Sequence, residues 1–137
     1  MTLFVDTSAL IHRYLATPER ALVDAAMADD PTWCASALCR TEAKVTLRRL
    51  AADQYQLDRL WAALAVDWDA IAVVPVDGRC LDHAAELGTV YGLRTVDAIH
   101  LAAADRLPRP LRYLTLDHHQ IPAASGLGFE VVSPIGA

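Results

Sequence analysis

The chain has 137 residues, 54% of them hydrophobic, with a formal net charge of -5, three cysteines and a single lysine among its twelve cations. That length suits one domain over residues 1–137, able to bury roughly 68% of its unfolded surface, and its apolar runs fall far short of the ~20 residues of a membrane span. The negative balance argues against a protein that grips nucleic acid by bulk charge. Cys34, Cys39 and Cys80 are odd in number and form no C-x-x-C pair, so they read as buried thiols rather than a disulfide framework or zinc site.

The first segment, Leu3-Phe4-Val5, is an apolar run that stops at Asp6. Met1 to Val5 has no basic leader, so a signal peptide is not expected and the cytoplasm is. Thr7 or Ser8 offers a hydroxyl cap for a short helix. Pro18 and Glu19 suit the first turn of the next helix, which ends near Asp29-Asp30-Pro31. Trp33-Cys34-Ala35 is the second strand, and Ser36 caps a long helix to about Leu50. Within that helix Leu38, Glu42, Val45 and Arg49 share one stripe, so Glu42 is expected to be half buried and to want a partner.

From Gln56 to Trp68, apolar residues including Trp61 and Trp68 recur at helical intervals, which suits a core or interface helix. Ile71 to Val76 is a β-branched run with an interior proline, the mark of an edge or irregular strand. It ends at Asp77, which is placed to cap the following helix to Tyr91. Gly92 stops that helix, and Thr95 caps the next, Val96 to Arg106, with Asp97 in its first turn. Tyr113 to Leu116 is the fourth strand and ends at Asp117. Phe129 to Val132 is a short fifth. Strands alternating with helices imply right-handed crossovers and a mostly parallel sheet with helices on both faces, so the fold class is α/β.

Asp6 and Asp117 follow strands and Asp97 opens a helix, so all three fall where an open parallel sheet gathers ligand-binding groups. Each has a structural explanation as a helix-capping or first-turn acid. Asp97 is the hardest to explain that way, because Val96, Ile99, Leu101 and Ala102 to Ala104 make its helix almost wholly apolar, and an unpaired buried acid is costly. Carboxylates that converge raise one another's pKa, and a hard divalent cation removes that cost. His100 reads as a hydrogen-bonded core residue. His118 and His119 lack the third nitrogen or sulfur ligand that zinc wants nearby.

The motifs Val5-Asp6-Thr7-Ser8-Ala9-Leu10, Glu42, Thr95-Val96-Asp97-Ala98-Ile99-His100-Leu101 and Leu114-Thr115-Leu116-Asp117, in this order, resemble the PIN-domain family. More narrowly, the chain is similar to the VapC-type toxins of bacterial toxin-antitoxin modules, over essentially its whole length. The resemblance implies a PIN-like three-layer α/β/α sandwich of about five strands and a Mg²⁺- or Mn²⁺-dependent endoribonuclease. It further implies Asp6, Glu42, Asp97 and Asp117 as the acid quartet, a homodimer, and a VapB-type antitoxin that occludes the site. Roles follow for an RNA substrate, transfer or ribosomal. Asp6, Asp97 and Asp117 would hold the metal, Glu42 would ligate through water or orient the nucleophile, and Ser8 and Thr115 would steady the carboxylates. Two other readings stay open. One is a metal-assisted phosphatase or phosphotransferase with Asp6 as nucleophile, which usually needs a lysine. The other is a non-catalytic module binding through the Trp61 and Trp68 helix.

Overall fold

The structure is a computed structural model and describes residues 1–134, so the last three positions of the expected domain lie outside the described residues. Five strands form one all-parallel sheet in the order β3-β2-β1-β4-β5. They are β1 Thr2–Val5, β2 Thr32–Ser36, β3 Ile71–Val74, β4 Leu111–Leu114 and β5 Glu130–Val132. The helices are α1 Thr7–Leu10, α2 Arg20–Asp29, α3 Ala37–Leu50, α4 Gln54–Ala70, α5 Gly78–Tyr91, α6 Thr95–Asp105 and α7 Ile121–Gly126, with 3₁₀ turns at Ile11–Arg13 and His118–Gln120. No helix among the described residues is long and apolar enough to cross a membrane.

Alternation along the strands divides the core in two. Leu3 and Val5 join Leu10, Met27, Leu47 and Leu64 beneath α1 to α4. Phe4, between them, turns to the other face, where it stacks on Tyr113, and Tyr113 stacks on Phe129, at centroid separations of 5.4 and 5.6 Å. That second layer is closed by α5, α6 and α7. Each fully buried side chain of this kind stabilises by about 1.5–3 kcal/mol. The result is the three-layer α/β/α sandwich.

Several expected boundaries shift. β3 stops at Val74, before Pro75, and lies at the sheet edge where a proline is tolerated. β4 begins at Leu111 and ends at Leu114, so Thr115 to Asp117 run past the sheet. α2 starts at Arg20, with Glu19 as its N-cap residue and Pro18 outside. Thr95 is the first residue of α6 and Arg94 holds the cap position.

The register sets the rim. Val5 pairs with Leu114, so Asp6 and Thr115 emerge side by side, and the Asp6 N–H donates to the Leu114 carbonyl at 3.0 Å. α6 packs against α5 and β2. It opens after Gly92, whose φ of 65° lets the chain reverse in the left-handed region that favours glycine.

Candidate functional site

Asp6, Glu42, Asp97 and Asp117 line one open cleft of 170 Å³ at the carboxyl end of the sheet, together with Thr7, Ser8, Arg94, His100 and Gln120. A larger groove of 320 Å³ between α5 and α6 has no ionisable side chain in its lining.

Asp6 occupies the N-cap position of α1, yet its side chain makes no cap bond. The carboxylate is buried, and its Oδ2 accepts from Ser8 Oγ at 2.5 Å, Thr115 Oγ1 at 2.9 Å and Gln120 Nε2 at 3.2 Å. Oδ1 is left with His100 Nε2 at 3.7 Å. The expectation that Thr7 or Ser8 caps α1 fails, because both hydroxyls are spent on acids. Ser8 serves Asp6, and Thr7 donates to Glu42 Oε1 at 2.7 Å.

Glu42 is half buried, as the α3 pattern suggests, but its surroundings differ from the expected apolar stripe. The core face of α3 is Cys39, Ala43 and Leu47, while Val45 is 52% exposed. Glu42 points into the cleft, where Oε1 also accepts from His100 Nε2. Burial alone would raise its pKa, but the His100 hydrogen bond and charge, with Thr7 and Arg94, hold it below the usual carboxylate range.

His100 is buried at 1% exposure and ties the layers together. Its Nδ1 pairs with Ser36 Oγ at 2.8 Å, so Ser36, expected as a helix cap, makes no cap bond and steadies the imidazole instead. Burial works against a charged ring, but Glu42 and Asp6 outweigh it and raise the His100 pKa.

Asp97 is buried on the first turn of α6. Its Oδ1 accepts from Gln120 Nε2 at 3.0 Å, and its Oδ2 from Arg94 Nε at 3.2 Å. Burial and the neighbouring Asp117 charge push its pKa up, and Arg94 offsets this only in part. Asp117 caps the second 3₁₀ turn by accepting from the His119 N–H at 3.0 Å, and its Oδ2 lies 3.6 Å from Arg94 Nη2. Asp77 caps α5 through the Cys80 N–H at 3.0 Å and pairs with Arg106, away from the cleft.

Two residues of this arrangement escape sequence reasoning. Gln120 bridges Asp6 and Asp97 with one amide nitrogen, and Tyr113 Oη donates to its Oε1 at 2.6 Å. Arg94 joins Asp97 to Asp117 from a side chain that is 81% exposed. The signal for Arg94 is its i, i+3 spacing to Asp97. Gln120 has none beyond following a strand-end acid.

The donor set suits a hard divalent cation. It is all carboxylate oxygen, one acid is raised by burial and like charge, and an Arg94 guanidinium already supplies positive charge between two of the acids. Among the described residues, however, candidate ligand atoms of three side chains come within 4.8 Å of one another only at Asp117, His118 and His119. Gln120 and Arg94 tie Asp6, Asp97 and Asp117 together around the cleft, and Thr7 and His100 hold Glu42 there.

Three comparisons bear on this architecture. A family model described as PIN domain matches residues 3–120. Ribonuclease VapC46 of Mycobacterium tuberculosis (strain ATCC 25618 / H37Rv) is 34% identical over 136 residues, which span 96% of this chain and 97% of that protein. Among solved structures, a toxin-antitoxin complex from Klebsiella pneumoniae has a TM-score of 0.72 at 19% identity over the whole of both chains. Mycobacterium tuberculosis VapC20, described as a Sarcin-Ricin loop cleaving toxin, gives 0.71 at 19% identity over 88% of this chain and 94% of its own.

Proposed function

The chain belongs to the PIN-domain family, in its VapC-type branch, and from that premise we propose that it is a toxin ribonuclease that hydrolyses RNA phosphodiesters with Mg²⁺ or Mn²⁺. The observation that carries the reading is the common cleft of Asp6, Glu42, Asp97 and Asp117, in which none of the four is spent solely on its own helix cap.

Asp6, Asp97 and Asp117 would hold the ion. When bound, it supplies Lewis-acid charge at the phosphate and lowers the pKa of a coordinated water. The protein's own part is orientation. Ser8, Thr115 and Gln120 all bond Asp6 Oδ2, which fixes the carboxylate and leaves Oδ1 without a hydrogen bond among the described residues. Glu42 takes both of its bonds at Oε1, so Oε2 is the atom available to orient an attacking water or accept its proton. Its lowered pKa keeps it ionised for that task. Arg94, long and exposed at the rim, can leave the acids to meet a phosphate oxygen.

Ribosomal or transfer RNA is the substrate class that the resemblance favours, and the named relative that cleaves the Sarcin-Ricin loop supports it. A VapB-type antitoxin joins the reading, supported by the toxin-antitoxin complex among the similar structures, and a homodimer and a cytoplasmic setting are proposed on the family resemblance alone. A phosphotransferase with Asp6 as nucleophile is the weaker reading. The sole lysine, Lys44, lies over the Trp61 ring with Nζ 4.2 Å from its centroid and is absent from the cleft lining.

The test is cleavage of candidate RNAs with Mg²⁺, with Mn²⁺ or with EDTA. Activity with either ion, abolished by chelator and by Asp97→Asn, is expected. Undiminished cleavage in EDTA or in Asp97→Asn would refute the mechanism.

A further inference from the structure

Helix α3 carries four cations and one acid in a chain whose net charge is -5. Most of the chain's other positive charge is paired within the molecule. Arg13 pairs with Asp67, Arg20 with Asp24, Arg94 with Asp97, Arg106 with Asp77, Arg109 with Asp105 and Arg112 with Asp30. Lys44 and Arg59 lie over the rings of Trp61 and Tyr55. Among the described residues the remaining cations, with neither a carboxylate within 4.0 Å nor a ring beneath them, are Arg40, Arg48 and Arg49 of α3 and Arg79 of α5. All four are exposed.

The helix macrodipole explains cations in the last turn of α3, where Arg48 and Arg49 sit, but it disfavours Arg40 in the first turn. Position adds what the dipole lacks. Glu42 and Thr46 of α3 line the acid cleft, and Arg49 follows them at i+7 and i+3, on the same side of the helix. At 1.5 Å per residue it stands about 10 Å along the axis from Glu42. Arg48 flanks it on the solvent side. An acid cleft by itself repels a phosphate chain, so a substrate strand needs compensating charge close to the point of cleavage and outside it.

We infer that the strip of α3 beyond Glu42 and Thr46, carrying Arg48 and Arg49, binds the phosphate backbone of the RNA strand that enters the acid cleft. The inference rests on the ribonuclease reading above. Guanidinium forks suit phosphate oxygens, and such contacts set affinity and register without reading bases. The strip therefore contributes binding, while choice of cut site lies elsewhere.

The experiment is fluorescence anisotropy of a labelled single-stranded RNA 20-mer in EDTA, from 0.05 to 1 M salt in round figures, where nothing is cleaved. It compares the wild type with Arg48→Gln/Arg49→Gln, the rescue pair Arg48→Lys/Arg49→Lys, and Arg79→Gln on α5. Loss of two phosphate contacts lowers the slope of log affinity against log salt by about 1.4, which corresponds to roughly 25-fold weaker binding near 0.1 M and convergence near 1 M. The lysine pair should restore the slope, and Arg79→Gln should leave it unchanged. With Mn²⁺ present, hydrolysis of bis(p-nitrophenyl) phosphate, too small to extend from the cleft to Arg48 and Arg49, should stay within twofold of wild type in the glutamine pair, which also shows that the variant is folded. An unchanged slope in the glutamine pair while the wild type binds RNA overturns the strip alone. Full RNA binding with lost affinity for an acidic antitoxin peptide also overturns it. A wild type that neither binds RNA nor cleaves it overturns the ribonuclease reading itself.

Discussion

Gln120→Met is the substitution that asks most of the site's internal logic. The residue is 1% exposed, and its one amide bonds Asp6 at 3.2 Å, Asp97 at 3.0 Å and the Tyr113 hydroxyl at 2.6 Å. Methionine preserves length and bulk but removes all three contacts. Bonds to ionised carboxylates contribute about 1.5–3 kcal/mol each, and an orphaned buried hydroxyl costs about 1–3 kcal/mol. Asp6 keeps Ser8 and Thr115, and Asp97 keeps Arg94, so the lower ends apply and the loss is about 4 kcal/mol. At about 4 °C per kcal/mol for a chain of this size, the melting temperature in EDTA should fall by roughly 15 °C. Saturating Mn²⁺ should raise the melting temperature of the variant more than that of the wild type, because the ion replaces the lost bridge between two acids. Adding Tyr113→Phe should recover about 1 kcal/mol by removing the orphaned hydroxyl. Differential scanning calorimetry reads all of these. A fall below about 4 °C, or equal Mn²⁺ responses, would refute the bridging role.

Other consequences are simpler to read. Arg94→Gln removes a cation that competes for Asp97 and Asp117, so Mn²⁺ should bind severalfold tighter in calorimetric titration, with little change in stability because the guanidinium is largely exposed. Burial pushes the Cys39 thiol up to about 12 and also raises Cys34 and Cys80, so all three should resist alkylation at pH 8 in the native protein and react fully once it is unfolded. Burial would raise the Asp105 pKa, but Arg109 and His83 reverse the effect and hold it low. The stability this adds is complete above the ordinary carboxylate value near ~4 and is lost as pH falls through the lower folded value. Asp105→Asn should therefore show a shallower acid-side decline in melting temperature than the wild type between about pH 5 and pH 2.

The alternation of strand and helix, the edge position of the proline-bearing strand and the capping role of Asp77 were all legible in local pattern, because each depends on neighbours in sequence. So was the stranding of Asp97 in an apolar helix. What local pattern misjudged was the destination of small hydroxyls. Thr7, Ser8 and Ser36 each look like helix caps, and each bonds instead to a group 2 to 64 residues away in the chain. Burial decides this competition, since an unpaired interior carboxylate or imidazole costs more than a helix end left to water. Gln120 illustrates the same limit. Nothing near it in sequence announces a bridge, because Tyr113, which orients it, is itself set by stacking between Phe4 and Phe129 across three strands' worth of fold.

The central claim is that Asp6, Asp97 and Asp117, from three separate segments, act as one cation site beside Glu42. Isothermal titration with Mn²⁺ tests it most directly, on the wild type and on Asp6→Asn, Asp97→Asn and Asp77→Asn, each first shown to be folded by circular dichroism. The account predicts saturable binding to the wild type and to Asp77→Asn, and at least a tenfold loss in Asp6→Asn and in Asp97→Asn. Binding that survives both of those substitutions, or that is lost equally in Asp77→Asn, would contradict it.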